Sequence, residues 1–114
     1  MKPFIKVMKA LSDPSRVKIV KALQHRSLCV CELKEALGLA QSTVSKHLKV
    51  LEEAELVSFE KDGLWVNFQL NRRPDNAYAV AMLEQVTDWL ETDDDIREML
   101  DRLPDIDREF ITRG

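Results

Sequence analysis

The stretch from residue 28 to residue 57, LCVCELKEALGLAQSTVSKHLKVLEEAELV, constrains the fold more than any other part of the chain. It predicts two short helices joined by a tight turn, because Val44, Leu48 and Leu51 recur at i, i+4 and i+7 and form one buried stripe. Gly38 is placed to end the first helix in a left-handed conformation. This spacing predicts a helix-turn-helix over residues 28–57, with the second helix as the recognition helix that enters a DNA groove.

The face opposite the buried stripe is polar and cationic, and we expect it to contact DNA. Gln41 or Ser42 is expected to cap the start of this helix. Lysines neutralise phosphates, and hydroxyl or amide groups hydrogen bond to bases and backbone. The candidate contacts on this helix are Gln41, Ser42, Thr43, Ser45, Lys46, His47 and Lys49. Two alternatives stay open: the polar face could merely meet water, and His47 could be a packed, hydrogen-bonded residue.

A β-hairpin is predicted directly after the recognition helix. From Val57 the apolar period changes from 3.6 to 2, and SFEKDGLWVNFQL alternates on either side of Asp62-Gly63, which is a strong hairpin signal. A hairpin in this place, residues 56–70, is a wing whose tip could follow the sugar-phosphate backbone. Lys61 is the only cation of the tip and is the candidate contact there.

The N-terminal residues predict two further helices. The first spans residues 3–11, and the second opens at Pro14, with Ser12 or Asp13 as its cap. Lys21 is expected opposite the apolar arc of the second helix, where a cation is either solvated or close to phosphate.

The segment 75–91 predicts a helix that is apolar almost all the way round. Its two stripes are Ala79, Leu83, Val86 and Leu90, and Tyr78, Met82 and Trp89. A helix at the end of a small domain cannot bury every side against one core, so a second surface is implied. The simplest cover is the same helix of a second subunit, with residues 3–11 alongside, which gives an isologous homodimer. In the alternative, the last segment of the chain folds back over this helix. The sequence of that segment predicts a short helix between Asp93 and Pro104.

Together these elements predict a single domain over residues 1–114 that is mainly α with a β-hairpin (α+β). The order is four helices, two strands and a fifth helix, followed by a short C-terminal helix. That order is a winged helix-turn-helix.

The net charge of −3 is divided unevenly along the chain. Residues 1–15 carry +2 and residues 16–49 carry +5, whereas residues 50–74 carry −2 and residues 75–114 carry −8. The basic part contains the predicted recognition helix, and we expect the acidic part to face away from phosphates. Because no apolar run approaches the roughly 20 residues that span a bilayer, and signal-peptide features are missing, we expect no membrane partner and a cytoplasmic location.

An enzyme is not predicted. The chain has no Gly-rich phosphate-binding loop, and although His25 lies close to Cys29 in the sequence, no third residue is evident to orient such a pair. We therefore expect no organic cofactor.

The two cysteines, Cys29 and Cys31, are separated by one residue. If Ser27 caps the third helix, Cys29 lies at the edge of the core and Cys31 on the far side, because residues i and i+2 of a helix do not face each other. Two thiolates could converge on one soft ion only if the first turn were extended, and the helix dipole would lower their pKa values. Two ligands are too few for a closed zinc site. Structural cysteines remain the alternative.

Four segments in order, LSDPSRVKIVKAL, SLCVCEL, SKHLKVLEEAELV and KDGLWVNFQL, resemble the ArsR/SmtB family of winged-helix metalloregulatory repressors over roughly residues 4–91. SLCVCEL is similar to the thiolate box of the arsenic- and antimony-responsive members. The resemblance implies a homodimer that binds a palindromic double-stranded DNA operator as the apo-protein. It also implies that As(III) or Sb(III) acts as inducer by binding Cys29 and Cys31.

The sequence departs from this family at several positions. Arsenic-responsive members often have a third cysteine soon after the pair, where Lys34 and Glu35 stand here, so a third ligand would be solvent, an exogenous thiol or absent. Residues 1–28 lack the cysteine of cadmium/lead-type sites, and residues 75–90 lack the histidines of zinc sensors. Leu64 stands where the wing often carries arginine.

Two other functions remain compatible with the sequence. The same fold could use its thiols as a sensor of oxidants, reactive sulfur or another soft metal. Alternatively, the apolar helix 75–91 could make the chain a protein-interaction module without DNA binding.

Overall fold

The computed structural model describes residues 1–113, with side chains described for residues 1–111. Its elements are α1 (Lys2–Ala10), α2 (Pro14–Leu23), α3 (Val30–Leu37), α4 (Gln41–Glu53), β1 (Val57–Asp62), β2 (Trp65–Leu70), α5 (Ala77–Asp88), α6 (Asp94–Arg102), a 3-10 turn (Leu103–Asp105) and α7 (Arg108–Arg113). This order confirms the winged helix-turn-helix of mainly α class with one hairpin. The short C-terminal helix is two helices, α6 and α7, and Gly114 of the predicted domain lies outside the described residues.

The core forms around the stripe of α4 that the periodicity predicts. Val44, Leu48 and Leu51 are at most 1% exposed, and they pack with buried residues of α1, α2 and α3. Gly38 ends α3 with a φ of +67°, as predicted, because a left-handed residue there lets its N–H reach the carbonyl of Lys34.

The predicted caps are partly right. Asp13 caps α2, since its carboxylate accepts hydrogen bonds from the N–H groups of the first turn. The prediction that Gln41 or Ser42 caps α4 is wrong: Ala40 is the cap residue, and Gln41 is already helical. Because Ala40 has no side-chain acceptor, no side chain caps the first turn of the recognition helix, and its leading N–H groups are left to water or an anion.

The end of α4 is fixed by an unusual residue. Glu55 has a φ of +64°, and the N–H of Leu56 reaches back to the carbonyl of Leu51 at 3.0 Å, which closes the helix in a Schellman motif. The Glu55 carboxylate accepts hydrogen bonds from the backbone N–H groups of Asp75 at 2.7 Å and Asn76 at 3.3 Å. The residue that ends the recognition helix therefore also holds the start of α5.

The wing is the predicted antiparallel hairpin with one correction. Phe59 pairs with Phe68, and the centres of their two rings are 5.7 Å apart. Asp62 pairs with Trp65. The two-residue turn is therefore Gly63-Leu64 rather than Asp62-Gly63. Gly63 adopts a φ of +61°, which glycine accepts without strain, and Asp62 is the last residue of β1.

A backbone bridge joins the wing to the segment before α3. The N–H of Leu28 donates to the carbonyl of Phe68 at 3.0 Å, and the N–H of Phe68 donates to the carbonyl of Leu28 at 2.8 Å. This pairing keeps the chain extended as far as Cys29, which becomes the cap residue of α3. The prediction that Ser27 caps α3 is therefore wrong.

Helix α5 has the second apolar surface that its sequence predicts. Ala79 and Val86 are buried, whereas Tyr78 and Trp89 are each about half exposed. Leu90 does not belong to the buried stripe, because α5 ends at Asp88 and Leu90 follows with a φ of +64° and an exposed side chain. Helices α6 and α7 pack on α2 and α3 and leave the exposed side of α5 uncovered.

Lys21 lies in the interior rather than opposite the core as predicted. Its side chain is fully buried, and Nζ donates hydrogen bonds to the carbonyls of Val86 at 3.1 Å and Trp89 at 2.9 Å and to the Glu91 carboxylate at 2.6 Å. These carbonyls lie at the C-terminal end of α5, where the helix dipole favours a cation, and the Val86 carbonyl also accepts the N–H of Trp89 at 3.2 Å. The hydrogen bond and charge of Lys21 lower the pKa of Glu91.

No helix within residues 1–113 combines the length and the apolar character that crossing a membrane requires.

Replacing Lys21 by Met keeps the side-chain length but leaves the carbonyls at the end of α5 without the ammonium that donates to them. We expect the free energy of unfolding, measured in urea, to fall by about 3 kcal/mol, because breaking a buried charge network strands its partners. Lys18→Met on the same helix is the control and should change it by less than about 1 kcal/mol. Equal losses in both variants would contradict an anchoring role for Lys21.

Candidate functional site

The structure brings most of the candidate DNA contacts to one exposed face of α4. The exposed members are Gln41, Ser42, Thr43, Ser45, Lys46 and Lys49. The sequence has no acidic residue between positions 36 and 51, so the face carries positive charge without a local counter-charge. A short-chained, cationic helix face of this kind suits the major groove of DNA.

His47 is half-buried and differs from its neighbours on α4. Arg16 donates from Nη1 to Nδ1 of His47 at 3.2 Å, and its remaining donors reach the carbonyls of Ala10 at 2.8 Å and Lys9 at 3.0 Å. Because a guanidinium only donates, Nδ1 accepts in this contact and the ring proton lies on Nε2. On its Nδ1 side, His47 is therefore the hydrogen-bonded residue of the alternative interpretation.

Arg16 is a residue that the sequence analysis passed over. It joins the end of α1 to α2 and to the recognition helix through His47. A signal was present: an arginine in the first turn of a helix, close in sequence to the end of the preceding helix, can reach that helix's orphan carbonyls.

The wing tip offers one cation among acidic neighbours. Lys61 is exposed on β1 between Glu60 and Asp62, and Leu64 at the turn is fully exposed. Arg108 of α7 comes within 3.8 Å of the Asp62 carboxylate. Lys61 therefore stays a candidate backbone contact at a tip that is otherwise acidic or apolar.

The cysteine pair lies at the start of α3, with its first residue in the extended conformation that two converging thiols require. Cys29 has φ −83° and ψ 169°, and Cys31 lies in the first helical turn. Glu32 forms a reciprocal capping box: its backbone N–H points to the Cys29 sulfur, and its carboxylate accepts from the Cys29 N–H at 3.0 Å. The two thiols are close enough for Cys31 to raise the pKa of Cys29.

The Cys29 thiol is held in its neutral form. Burial raises the pKa of Cys29 to about 12, and the neighbouring Cys31 and the charge of Glu32 act in the same direction. The Glu32 N–H opposes this shift but does not outweigh it. The expectation that the helix dipole lowers thiol pKa values here is therefore wrong for Cys29, and a ligand must displace its proton.

The donor set at this position is the two thiols. Across residues 1–113, no group of three or more His, Cys, Asp and Glu side chains comes close enough to hold a metal ion. A buried sulfur beside a half-buried one in the same helical turn suits a soft centre that takes two bonds from the protein and its other ligands from outside.

Glu32 and Arg26 are the second functional feature that sequence reasoning missed. Glu32 is buried, and its second carboxylate oxygen accepts from Nη1 of Arg26 at 2.9 Å. An acid three residues after a capping position is the sequence signal of a capping box. That signal was hidden because Ser27, rather than Cys29, was expected to be the cap.

The comparisons with known proteins agree with this architecture. A model of the family described as "Bacterial regulatory protein, arsR family" matches residues 13–58. An arsenical resistance operon repressor from Staphylococcus xylosus is 43% identical over 65 residues, which are 57% of this chain and 62% of that protein. Arsenic resistance transcriptional regulator ArsR1 from Pseudomonas putida is 36% identical over 92 residues, covering 76% of this chain and 71% of that protein.

Among solved structures, HlyU from Vibrio cholerae N16961 superimposes with a TM-score of 0.63 at 29% sequence identity. The match covers 75% of this chain and 88% of that chain. The chain spans 62% and 61% of the length of the first two curated relatives it matches.

Proposed function

Because this chain belongs to the ArsR family of bacterial regulatory proteins, we propose that it is a cytoplasmic, DNA-binding transcriptional repressor. In this proposal the protein leaves its operator when trivalent arsenic or antimony binds Cys29 and Cys31. The observation that carries the proposal is the position of the two neighbouring thiols at the start of α3, with Cys29 as the extended cap residue and Cys31 in the first turn. This helix leads directly into the exposed cationic face of α4.

The DNA contacts follow from the chemistry of the recognition face. Lys46 and Lys49 neutralise phosphates, and Gln41 and the hydroxyl groups beside it reach base edges or backbone. The N–H groups of the first turn of α4, which no side chain caps, can bind a phosphate. His47 can donate from Nε2 while Arg16 holds its other nitrogen.

Lys46→Ala and Lys49→Ala should each weaken operator binding and reduce the slope of log affinity against log salt by about 0.9, because each releases one counterion fewer. The measurement is a titration of labelled operator DNA at several salt concentrations. Arg97→Ala on α6 is the charge-matched control and should keep the wild-type slope. Unchanged slopes in the lysine variants would reassign both residues to solvent. A wild type that shows no salt-dependent DNA binding at all would favour the protein-interaction module.

A homodimer is proposed through the joined faces of α1 and α5. Phe4 of α1 and Tyr78 of α5 pack edge to face with ring centres 5.2 Å apart, and the Asn76 side chain donates to the carbonyl of Pro3 at 3.1 Å. The exposed apolar residues of these two helices are Phe4, Ile5, Tyr78 and Val80. A second copy would cover them isologously and would present two recognition helices to a palindromic operator.

Tyr78→Glu should convert a dimer into monomers in sedimentation experiments, because it places a charge in an apolar contact. Phe110→Glu is the control, since Phe110 is also an exposed aromatic residue but lies on the far C-terminal helix. Identical sedimentation of Tyr78→Glu and wild type, or a monomeric wild type, would contradict this interface.

Inducer binding exchanges oxygen for sulfur at a trivalent centre. Each thiol gives its proton to a hydroxide of arsenous acid, which leaves as water, while the sulfur forms the new bond; no electrons are transferred. The third substituent stays with the inducer as hydroxide or an exogenous thiol, because Lys34 and Glu35 stand where a further cysteine would be needed.

The coupling to DNA passes through the first turn of α3. The Cys29 sulfur accepts the Glu32 N–H, so turning this sulfur to share a ligand with Cys31 disturbs the cap that starts α3. Helix α3 packs against α4, and a displaced α3 misplaces the recognition helix. Only about 3 kcal/mol of coupling is required, because about 1.4 kcal/mol corresponds to a tenfold loss of affinity.

Arsenite should release wild-type protein from labelled operator, whereas Cys29→Ser and Cys31→Ser should bind the operator and require at least about tenfold more arsenite. Serine is itself a good cap residue, so Cys29→Ser is expected to keep α3 intact. A wild type that holds its operator at all arsenite concentrations, or serine variants that respond as the wild type does, would remove the thiol assignment.

The dependence of ligand affinity on pH separates the classes of inducer. Exchange of thiol for hydroxide on arsenic releases no net proton, so the affinity for arsenite should change little between pH 6.5 and 8.5. A divalent ion such as Cd²⁺ must expel the Cys29 proton, and because the pKa of Cys29 is about 12 its affinity should rise about tenfold per pH unit across this range.

The proximity of the two thiols also favours a second candidate, an oxidisable pair. An oxidant would take two electrons as the two thiols lose two protons and form a disulfide. Release of operator with oxidant, with a mass loss of two hydrogens and no response to arsenite, would favour this redox sensor over the metalloid sensor.

A further inference from the structure

The C-terminal segment, defined here as residues 94–113, is fastened to both ends of α3 by arginines. At the far end of the helix, Arg102 donates to the carbonyl of Ala36 at 2.9 Å. At the thiol end, Arg26 donates from Nη2 to the carbonyls of Ile106 at 2.8 Å and Leu103 at 3.3 Å.

Arg26 connects this segment to the cysteine cap through one carboxylate. Its Nη1 donates to one Glu32 oxygen at 2.9 Å, and the other Glu32 oxygen accepts the N–H of Cys29 at 3.0 Å. Glu32 is only 4% exposed, so water cannot replace the arginine as its partner. The position of the Glu32 carboxylate therefore depends on a guanidinium whose other hydrogen bonds end on the C-terminal segment.

The same segment also reaches the wing. Arg108 donates to the Asn67 side chain at 2.7 Å and lies over the Trp65 ring, 4.7 Å from its centre. Both are residues of β2, the strand that pairs with Leu28 immediately before the cysteines. The thiol pair is thus held from two sides, by β2 through Leu28 and by the C-terminal segment through Arg26.

We propose that Arg26 is a positioning residue for the thiol pair, and that it makes the geometry of the pair and the docking of the C-terminal segment depend on each other. It acts through Glu32, which keeps Cys29 in its extended conformation beside Cys31. Coupling of this kind is reciprocal: a ligand that moves Cys29 loosens the segment, and a loosened segment leaves Cys29 less ordered. Of these statements, only the effect of Arg26 on the response to the inducer rests on the proposed function.

Alkylation of the cysteines tests the first half of the proposal without any metalloid. In wild type, iodoacetamide should modify the half-buried Cys31 faster than the buried Cys29, followed residue by residue with mass spectrometry. Arg26→Gln should raise the rate at Cys29 at least about fivefold. Arg102→Gln is the matched control, because it removes one contact of the segment at the other end of α3 but leaves the bonds of Arg26 to Leu103 and Ile106 in place. It should leave the Cys29 rate within about twofold of wild type. Equal effects of both variants would overturn the positioning role.

A double-mutant cycle tests whether Arg26 acts through Glu32. Glu32→Gln keeps an oxygen that can accept the Cys29 N–H but removes the charge that Arg26 pairs with. If the arginine acts through this carboxylate, Arg26→Gln combined with Glu32→Gln should alkylate no faster than the faster single variant. If the increases in alkylation rate of the two single variants multiply in the double variant, the two residues act independently and the proposal is overturned.

Fluorescence tests the reciprocal half. The chain has two tryptophans, so Trp89→Phe leaves Trp65, which lies under Arg108, as the reporter of segment docking. Alkylation of Cys29 in this variant should shift the Trp65 emission, and adding Arg26→Gln should remove most of the shift. If alkylation of Cys29 leaves the Trp65 emission unchanged while Arg26 is present, the coupling is refuted.

The inducer provides the last comparison. Measured against its own operator affinity without arsenite, Arg26→Gln should need about tenfold more arsenite for half release, whereas Arg102→Gln should respond nearly as wild type. If wild type ignores arsenite while alkylation and fluorescence behave as expected, the proposed inducer fails and the positioning role of Arg26 stands. If wild type responds and Arg26→Gln matches it in every readout, the positioning role fails and the proposed function stands.

Discussion

Two backbone hydrogen bonds between Leu28 and Phe68 determine how the functional parts of this molecule are arranged. They extend the chain ahead of α3, and this extension makes Cys29 the cap residue. They also attach the wing to the helix that precedes the recognition helix. Because a backbone bridge does not depend on side-chain identity, the sequence carries no local mark of it.

The periodic parts of the structure were predictable. The stripe at Val44, Leu48 and Leu51, the glycine at the end of α3 and the presence of the hairpin follow from side-chain periods and glycine geometry, which act over a few residues. The start of α3 was not predictable, because the pairing of Leu28 with Phe68 joins positions 40 residues apart and overrides the local preference of Ser27 for a cap. The burial of Lys21 was hidden for the same reason: its acceptors lie at the far end of α5.

In the candidate site, too, the local features were predictable and the long-range contacts were not. The residue types of the recognition face and the cysteine pair are visible in the sequence, but the partners that orient them are distant arginines. Arg16 holds His47, and Arg26 holds the carboxylate that caps Cys29. A guanidinium can join several acceptors from different segments with one rigid group, so such residues organise a site without belonging to a local motif.

The burial of Lys21 has a consequence for how the protein meets changes in ionic strength. Mobile ions screen exposed charges but have little access to an ammonium enclosed by carbonyls at the end of α5. Salt therefore weakens the attraction between the lysines of α4 and a polyanion while leaving α5 attached to α2. A higher salt concentration would therefore empty the cationic surface and spare the scaffold, so the protein would dissociate from a polyanion as an intact unit that can bind again when the salt falls.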